Sequence, residues 1–386
     1  VICESYVPAT KSELVEMLVR HGSLDDREAA QFRRLARLIA AAFHIEFHQR
    51  LEHLKRIYAP FDPDSDTRPI GGSGSRSRAA GPDELLDAVG EVLTAAHYHP
   101  LSAQELDRAL TGATYWGLDL QIDRSIFDRL MIYVRGDSSA SRVRRDIGTL
   151  FRRRVVELEV YERLVLAVKL RGGDDHDAQA DADNIHFKMF REIPKLDLEM
   201  LLPGTRPRMR LLDGGKIGAS SVWGLFSLSK MLIEALLYAK LIWFTFLVGS
   251  VSYAIQSFLG YQRTRKAYDH SVTQQLYYQN LDNNVGVFCR VIDEAEEEEA
   301  KEAILAYYFL WRRGAEAWTP DRLARQIEDW VRAQTGESCR FQVHEAIGKL
   351  VRCGVLATDD SQLRAAPVDA AHQRIVQQLT GVVGSL

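Results

Sequence analysis

Residues 217–260 read IGASSVWGLFSLSKMLIEALLYAKLIWFTFLVGSVSYAIQSFLG, and the reading of this stretch decides how the rest of the chain is organised. Its second half, Leu241 to Gly260, has no charged residue and one strongly polar one, Gln256. A helix of that length spans about 30 Å, the thickness of a bilayer's hydrocarbon core. The pattern predicts a transmembrane helix. The first half, Ile217 to Ala239, is apolar apart from Lys230 and Glu234, each costing about 2.5–3.5 kcal/mol near a bilayer centre. These two lie four apart, share a helix face and can form a membrane-buried polar pair. The basic flanks are Arg206, Arg208, Arg210 and Lys216 before the stretch, and Arg263, Arg265 and Lys266 after it. Positive charge is retained on the cytoplasmic side, so basic residues at both ends favour a helical hairpin, with both flanks at one membrane surface. The expected partner is then a lipid bilayer, and residues 1–216 and 263–386 share a compartment.

Outside the hairpin the composition is that of a globular protein. The chain has 386 residues, 46% hydrophobic and 26% charged, which suits two or three domains and excludes wholesale disorder. A formal net charge of −4 gives no reason to expect general nucleic-acid binding. Cys3, Cys289, Cys339 and Cys353 are far apart and form no CxxC pair, against a zinc site or disulfide framework.

Upstream, residues 1–110 read as a helical region. KSELVEMLVRH (11–21) and the long segment 25–58 place apolar residues at three- and four-residue intervals. His44 and His48 stand at i, i+4 with His53 beyond, but without an HExxH motif, so a helix face is the reading. Asp62, Asp64 and Asp66 alternate in YAPFDPDSDT (58–67) and offer oxygen ligands that suit Ca²⁺ or Mg²⁺, although the glycine and closing Glu of an EF-hand are missing. A Gly/Ser linker follows near 69–82. Ser102 with Glu105 has the pattern of a helix-capping box. Residues 111–216 then read as a mainly antiparallel sheet domain, with strands at 118–123, 129–136, 152–161, 163–170 and 184–190.

Beyond the hairpin, 261–314 reads as one or two long helices. Its acidic run DEAEEEE (293–299) is expected to be a solvated helical face, with the Asp293–Glu297 face an alternative metal site. Residues 315–386 show a winged-helix-like order. The helix 319–336 has an N-cap Thr, a Pro at its first position and a Gly at its end; the helix 341–354 and a two-strand wing near Asp359–Asp360 follow. Its second helix presents only His344, Lys349 and Arg352 beside Glu345, too little positive charge for a DNA reader, so a protein partner is expected and nucleic acid is disfavoured. The fold class expected is therefore α+β: a helical N-terminal region, a mainly antiparallel sheet, a central transmembrane helical hairpin and a C-terminal winged-helix-like domain.

Several segments in this order resemble the transmembrane protein 143-like family, whose biochemical activity is not established. They are YVPATKSELVEML (6–18), HIEFHQRLEHLKRIYAPFDPD (44–64), IYVRGDS (132–138), FREIPKLDLEMLLPGTRPRMRLLD (190–213) and LYYQNLDNNVGVFCRVIDEAEEEEAKEAILAYYFLW (276–311). The resemblance implies paired membrane helices in mid-chain and, for a eukaryotic member, mitochondrial or other organellar residence; it supplies no catalytic residues. No nucleophile–base pair, P-loop or dinucleotide motif stands out, and no cofactor is identified. The expectation is a non-enzymatic, membrane-anchored interaction protein. The alternatives are a divalent-metal-dependent membrane enzyme using Asp62, Asp64 and Asp66, and a membrane-tethered DNA-binding regulator.

Overall fold

A computed structural model describes residues 3–4, 6–65, 81–102, 104–106, 119–121, 124–145, 153–172, 182–195, 198, 201–202, 206–208, 278–313, 318–359 and 362–384. The chain divides into two compact units. The larger joins Val1–Leu101, Phe127–Arg191 and Asp282–Leu386; the smaller joins Ser102–Ile126 and Glu192–Leu281.

The larger unit starts with β1 (Cys3–Glu4) and α1 (Lys11–His21). Thr10 begins α1 with a capping box: its hydroxyl accepts from the Glu13 N–H, and the Glu13 carboxylate accepts from Thr10 N–H. The next helix, α2 (Asp26–Tyr58), is capped by Asp25 and buries Phe32, Leu35, Ile39, Phe43 and Phe47 along one stripe. After α3 (Pro82–Ala95) comes the short β2 (His99–Pro100). The strands β4 (Phe127–Arg145), β5 (Arg153–Leu170), β6 (Ile185–Pro194) and β8 (Asn280–Asn283) complete a five-stranded sheet in the order β2–β4–β5–β6–β8. Two strands were expected across 152–170, yet β5 runs unbroken and pairs antiparallel with β4 from Arg145↔Arg153 to Phe127↔Leu170. The polar residue at the expected break, Glu162, lies across Gly136. Gly136 has φ +71°, and a Cβ there would stand 2.6 Å from Glu162 Oε2, so glycine allows the carboxylate to cross the strand and accept from Tyr6 Oη.

The helix α4 (Val285–Arg313) runs through the centre of this unit, followed by α5 (Pro320–Thr335), β9 (Ser338–Cys339), α6 (Val343–Arg352), the hairpin β10 (Leu356–Asp359)–β11 (Gln362–Ala365) and α7 (Val368–Gly384). Thr319 accepts from Arg322 N–H, Pro320 occupies the first helical position, and Gly336 ends α5 in the left-handed conformation at φ +77°. β1 pairs in parallel with β9, joining segments far apart in sequence. In the smaller unit β3 (Asp119–Gln121) pairs antiparallel with β7 (Arg206–Arg208), and Ser102 with Glu105 makes the expected reciprocal capping bonds.

The transmembrane hairpin requires correction. Among the described residues, no helix is long and apolar enough to cross a membrane. The two longest, α2 and α4, are studded with charge: DREAAQFRR opens α2 and DEAEEEEAKE interrupts α4. Residues 217–260 lie outside the described residues, and with them the expected pair Lys230–Glu234. The fold class stands as mixed helix and antiparallel sheet; the expected integral-membrane location is corrected with the hairpin. The expectation of helix across 261–314 also changes. Asn280–Asn283 is a strand, and α4 starts only after Asn284, whose φ of +48° turns the chain.

Candidate functional site

The acidic run in α4 is only partly solvated: Asp293 is exposed, Glu294, Glu296 and Glu297 are half-buried, and Glu298 and Glu299 are buried. Consecutive helix positions point about 100° apart, so a block of carboxylates radiates to every neighbour of the helix. Glu294 accepts from Tyr98 Oη at 2.7 Å and lies 3.2 Å from Arg135 Nη2. Arg135 in turn packs over the Tyr6 and Tyr98 rings and donates to the Ala96 carbonyl. Glu296 meets His44 at 2.9 Å. Glu297 accepts the first N–H of α1, from Lys11, at 2.6 Å. Glu298 accepts from Val7 N–H and from Lys301 Nζ, and Lys301 also donates to the carbonyls of Val7 and Ala9.

The innermost cluster ties α4 to the end of α3 and to α6. Glu302 lies 3.1 Å from His97 Nε2 and 3.0 Å from Lys349 Nζ; Glu299 lies 3.6 Å from the same Lys349 nitrogen. His97, Glu299, Glu302 and Lys349 are all 5% exposed or less. His97 reaches in because α3 has ended and its backbone takes φ +62°, a conformation histidine adopts more readily than bulky residues do. The Gln342 amide nitrogen stands 3.0 Å from His97 Nδ1. An amide nitrogen is only a donor, so Nδ1 accepts and Nε2–H donates to Glu302.

The two carboxylates differ. Burial works to raise the Glu302 pKa, but the His97 hydrogen bond and Lys349 outweigh it and hold the group below its ordinary range. At Glu299 burial prevails over the attraction of Lys349 and Arg50, helped by the negative charges of Glu46 and Glu302, and its pKa is raised. Glu299 Oε2 is buried without a hydrogen-bond partner. Burial pushes the Tyr98 phenol well up, and Glu294 adds to it. Groups this enclosed do not reach a bulk substrate. What they do is fix the docking of separate segments on one helix, because a misdocked segment would leave a buried charge unpaired.

The residues singled out in the sequence fall elsewhere. Asp62 Oδ1 accepts from Asp64 N–H at 3.0 Å, and Asp64 Oδ2 accepts from Asn284 Nδ2 at 2.6 Å. Asn284 also exchanges hydrogen bonds with the backbone of Phe187, so the acidic turn anchors the start of α4 against β6. Asp66 lies outside the described residues. Among those described, no group of three or more His, Cys, Asp or Glu side chains is placed to hold a metal. Asp293 is exposed, whereas Glu297 is taken up by Lys11. Arg206 and Arg208 lie in β7; Arg210, Lys216, Arg263, Arg265 and Lys266 are outside the described residues. His97, Glu299, Glu302 and Lys349 escaped sequence reasoning. A signal was present: AILAYYFL (303–310) is apolar on every face of a helix, and such a helix is enclosed on all sides.

A family model described as a protein of unknown function, DUF3754, matches residues 127–286. That match covers β4, β5, β6, β8 and the first two residues of α4, and nothing in it links the chain to the transmembrane protein 143-like family. No solved structure matches the chain.

Proposed function

We propose that this chain is a non-enzymatic interaction protein whose C-terminal segment, 315–386, binds a protein partner. The observation that carries this reading is the direction of Lys349. Of the three basic or imidazole side chains on α6, it is the one turned inward, 4% exposed, where Glu299 and Glu302 neutralise it. A helix reading DNA presents its cations to phosphates, and α6 keeps only His344 and Arg352 outside, next to the exposed Glu345. Apolar side chains stand out instead: Val351 on α6 is 41% exposed and Val376 on α7 is 39% exposed. The metal-dependent reading is weaker, because Asp62 and Asp64 already satisfy a backbone turn and Asn284.

A photo-crosslinking residue at position 351 of the whole chain tests the proposal. The expected result is the same protein adduct in independent preparations, lost when Val376 is changed to Glu. A scatter of unrelated adducts would remove the proposal. Saturable duplex binding that weakens steeply with salt would replace it with the DNA-binding alternative.

A further inference from the structure

We propose that the open edge of β4 beside α3 docks an extended, lysine- or arginine-bearing segment of a partner protein, added to the sheet in line with β2. This surface is separate from the C-terminal one and does not depend on it.

β4 is 19 residues long, but among the described residues its outer side is paired only by β2, at His99↔Val134 and Pro100↔Tyr133, followed by a Leu101 N–H to Ile132 carbonyl bond of 2.9 Å. Backbone groups of alternate residues face the same side of a strand, so the N–H and C=O of Leu130 share that edge with Ile132 where β2 has ended. A strand edge with a donor and an acceptor in place is a template for another strand.

An open groove of about 900 Å³ lies there between α3 and β4. Asp83, Asp87 and Glu91 stand four residues apart and line it from one helix face; among its described lining residues none is cationic. Arg129 grips Asp83 through two hydrogen bonds of 2.7 and 3.2 Å. Asp87 and Glu91 are exposed and have no cationic partner among the described residues. The opposite wall is half-buried and apolar, with Leu101, Leu130 and Met131. This combination fits a strand whose backbone pairs with β4 and whose alternate side chains place cations on the sheet face that α3 covers. A second copy of the chain fits poorly, because pairing the two edges would bring like carboxylates together.

The test uses the whole chain and a fluorescein-labelled peptide of alternating Lys and Val, read by anisotropy. Saturable one-to-one binding is expected. It should weaken at least about tenfold with D87K/E91K, and by a similar factor when alternate peptide amides are N-methylated, which removes strand pairing but keeps the charge. A Glu-for-Lys peptide should not bind, and V351E should leave the affinity unchanged. Both reversed positions are exposed, and unchanged far-UV dichroism and melting verify that D87K/E91K is folded. Absence of saturable binding to the unaltered chain overturns the proposal. So does binding indifferent to N-methylation, which would be charge adsorption. Sedimentation showing a dimer that D87K/E91K dissolves would assign the edge to a second copy and overturn it equally.

Discussion

Lys349 and Glu299 form a buried charge contact on which a single change has a definite expected effect. Lys349→Met leaves Glu302 and Glu299 buried without the cation between them, and breaking a buried pair from one side costs about 3–5 kcal/mol. Urea denaturation of the whole chain should show that loss, with an unaltered slope against urea. Glu299 predicts a pH effect of definite sign. Its folded-state pKa lies above the ordinary value of 4.5, so above about pH 4.5 the native chain holds a proton that the unfolded chain has released. Stability attributable to this group therefore falls as pH rises through that interval. Glu302 has the opposite sign: its contribution is present above 4.5 and is lost as pH falls through its lowered folded-state pKa. Comparing Glu299→Gln with the parent isolates the first effect. The variant should have the higher urea midpoint at pH 7, and the difference should close by about pH 4. A difference that does not vary with pH would contradict the assignment.

At the scale of the element, α4 carries a set of small side chains with no exposed surface. Ala295, Ala300, Ala303 and Ala306 are fully enclosed, interleaved with the carboxylates that reach outward. Ala303→Leu has no space to fill and should destabilise by about 1–3 kcal/mol. The end of α5 supplies a separate test of local backbone chemistry. Gly336 has φ +77° and nothing within 4 Å of a Cβ placed there, so Gly336→Ala meets no clash and bears only the backbone cost of about 1–2 kcal/mol. Thermal melts of the two variants should differ in kind. The α4 variant disturbs packing and loses near-UV dichroism, whereas the α5 variant lowers the midpoint with its spectrum intact.

At the scale of the larger unit, segments far apart in sequence depend on each other. β1 pairs with β9, Lys301 holds the carbonyls of Val7 and Ala9, and Lys349 of α6 finds its buried counter-charges, Glu299 and Glu302, on α4. Residues 315–386 alone would carry Lys349 without Glu299 or Glu302, and β9 without β1. Expressed by itself, that segment should keep helical far-UV dichroism and lack a cooperative thermal transition. In the whole chain, tryptophan fluorescence and far-UV dichroism should report one coincident transition for this unit. A cooperatively folding fragment would show the module to be autonomous.

The sequence by itself determined the features whose causes are local. Thr319, Pro320 and Gly336 mark the two ends of α5 because a cap, a fixed φ and a left-handed residue act within one helical turn. The periodicity of 11–21 and the alternation of 129–136 likewise announce α1 and part of β4. The continuity of β5 was not legible, since the polar residue at its centre is accommodated by a glycine 26 positions earlier in the chain, Gly136 opposite Glu162. The acidic run misled for the same reason. A block of glutamates looks solvated when only its own helix is considered; tertiary structure decided that Arg135, Lys349, Tyr98 and the backbone of Val7 would meet it. Whether a charge is buried is set by the cations that distant segments deliver to it, and no window of sequence contains them.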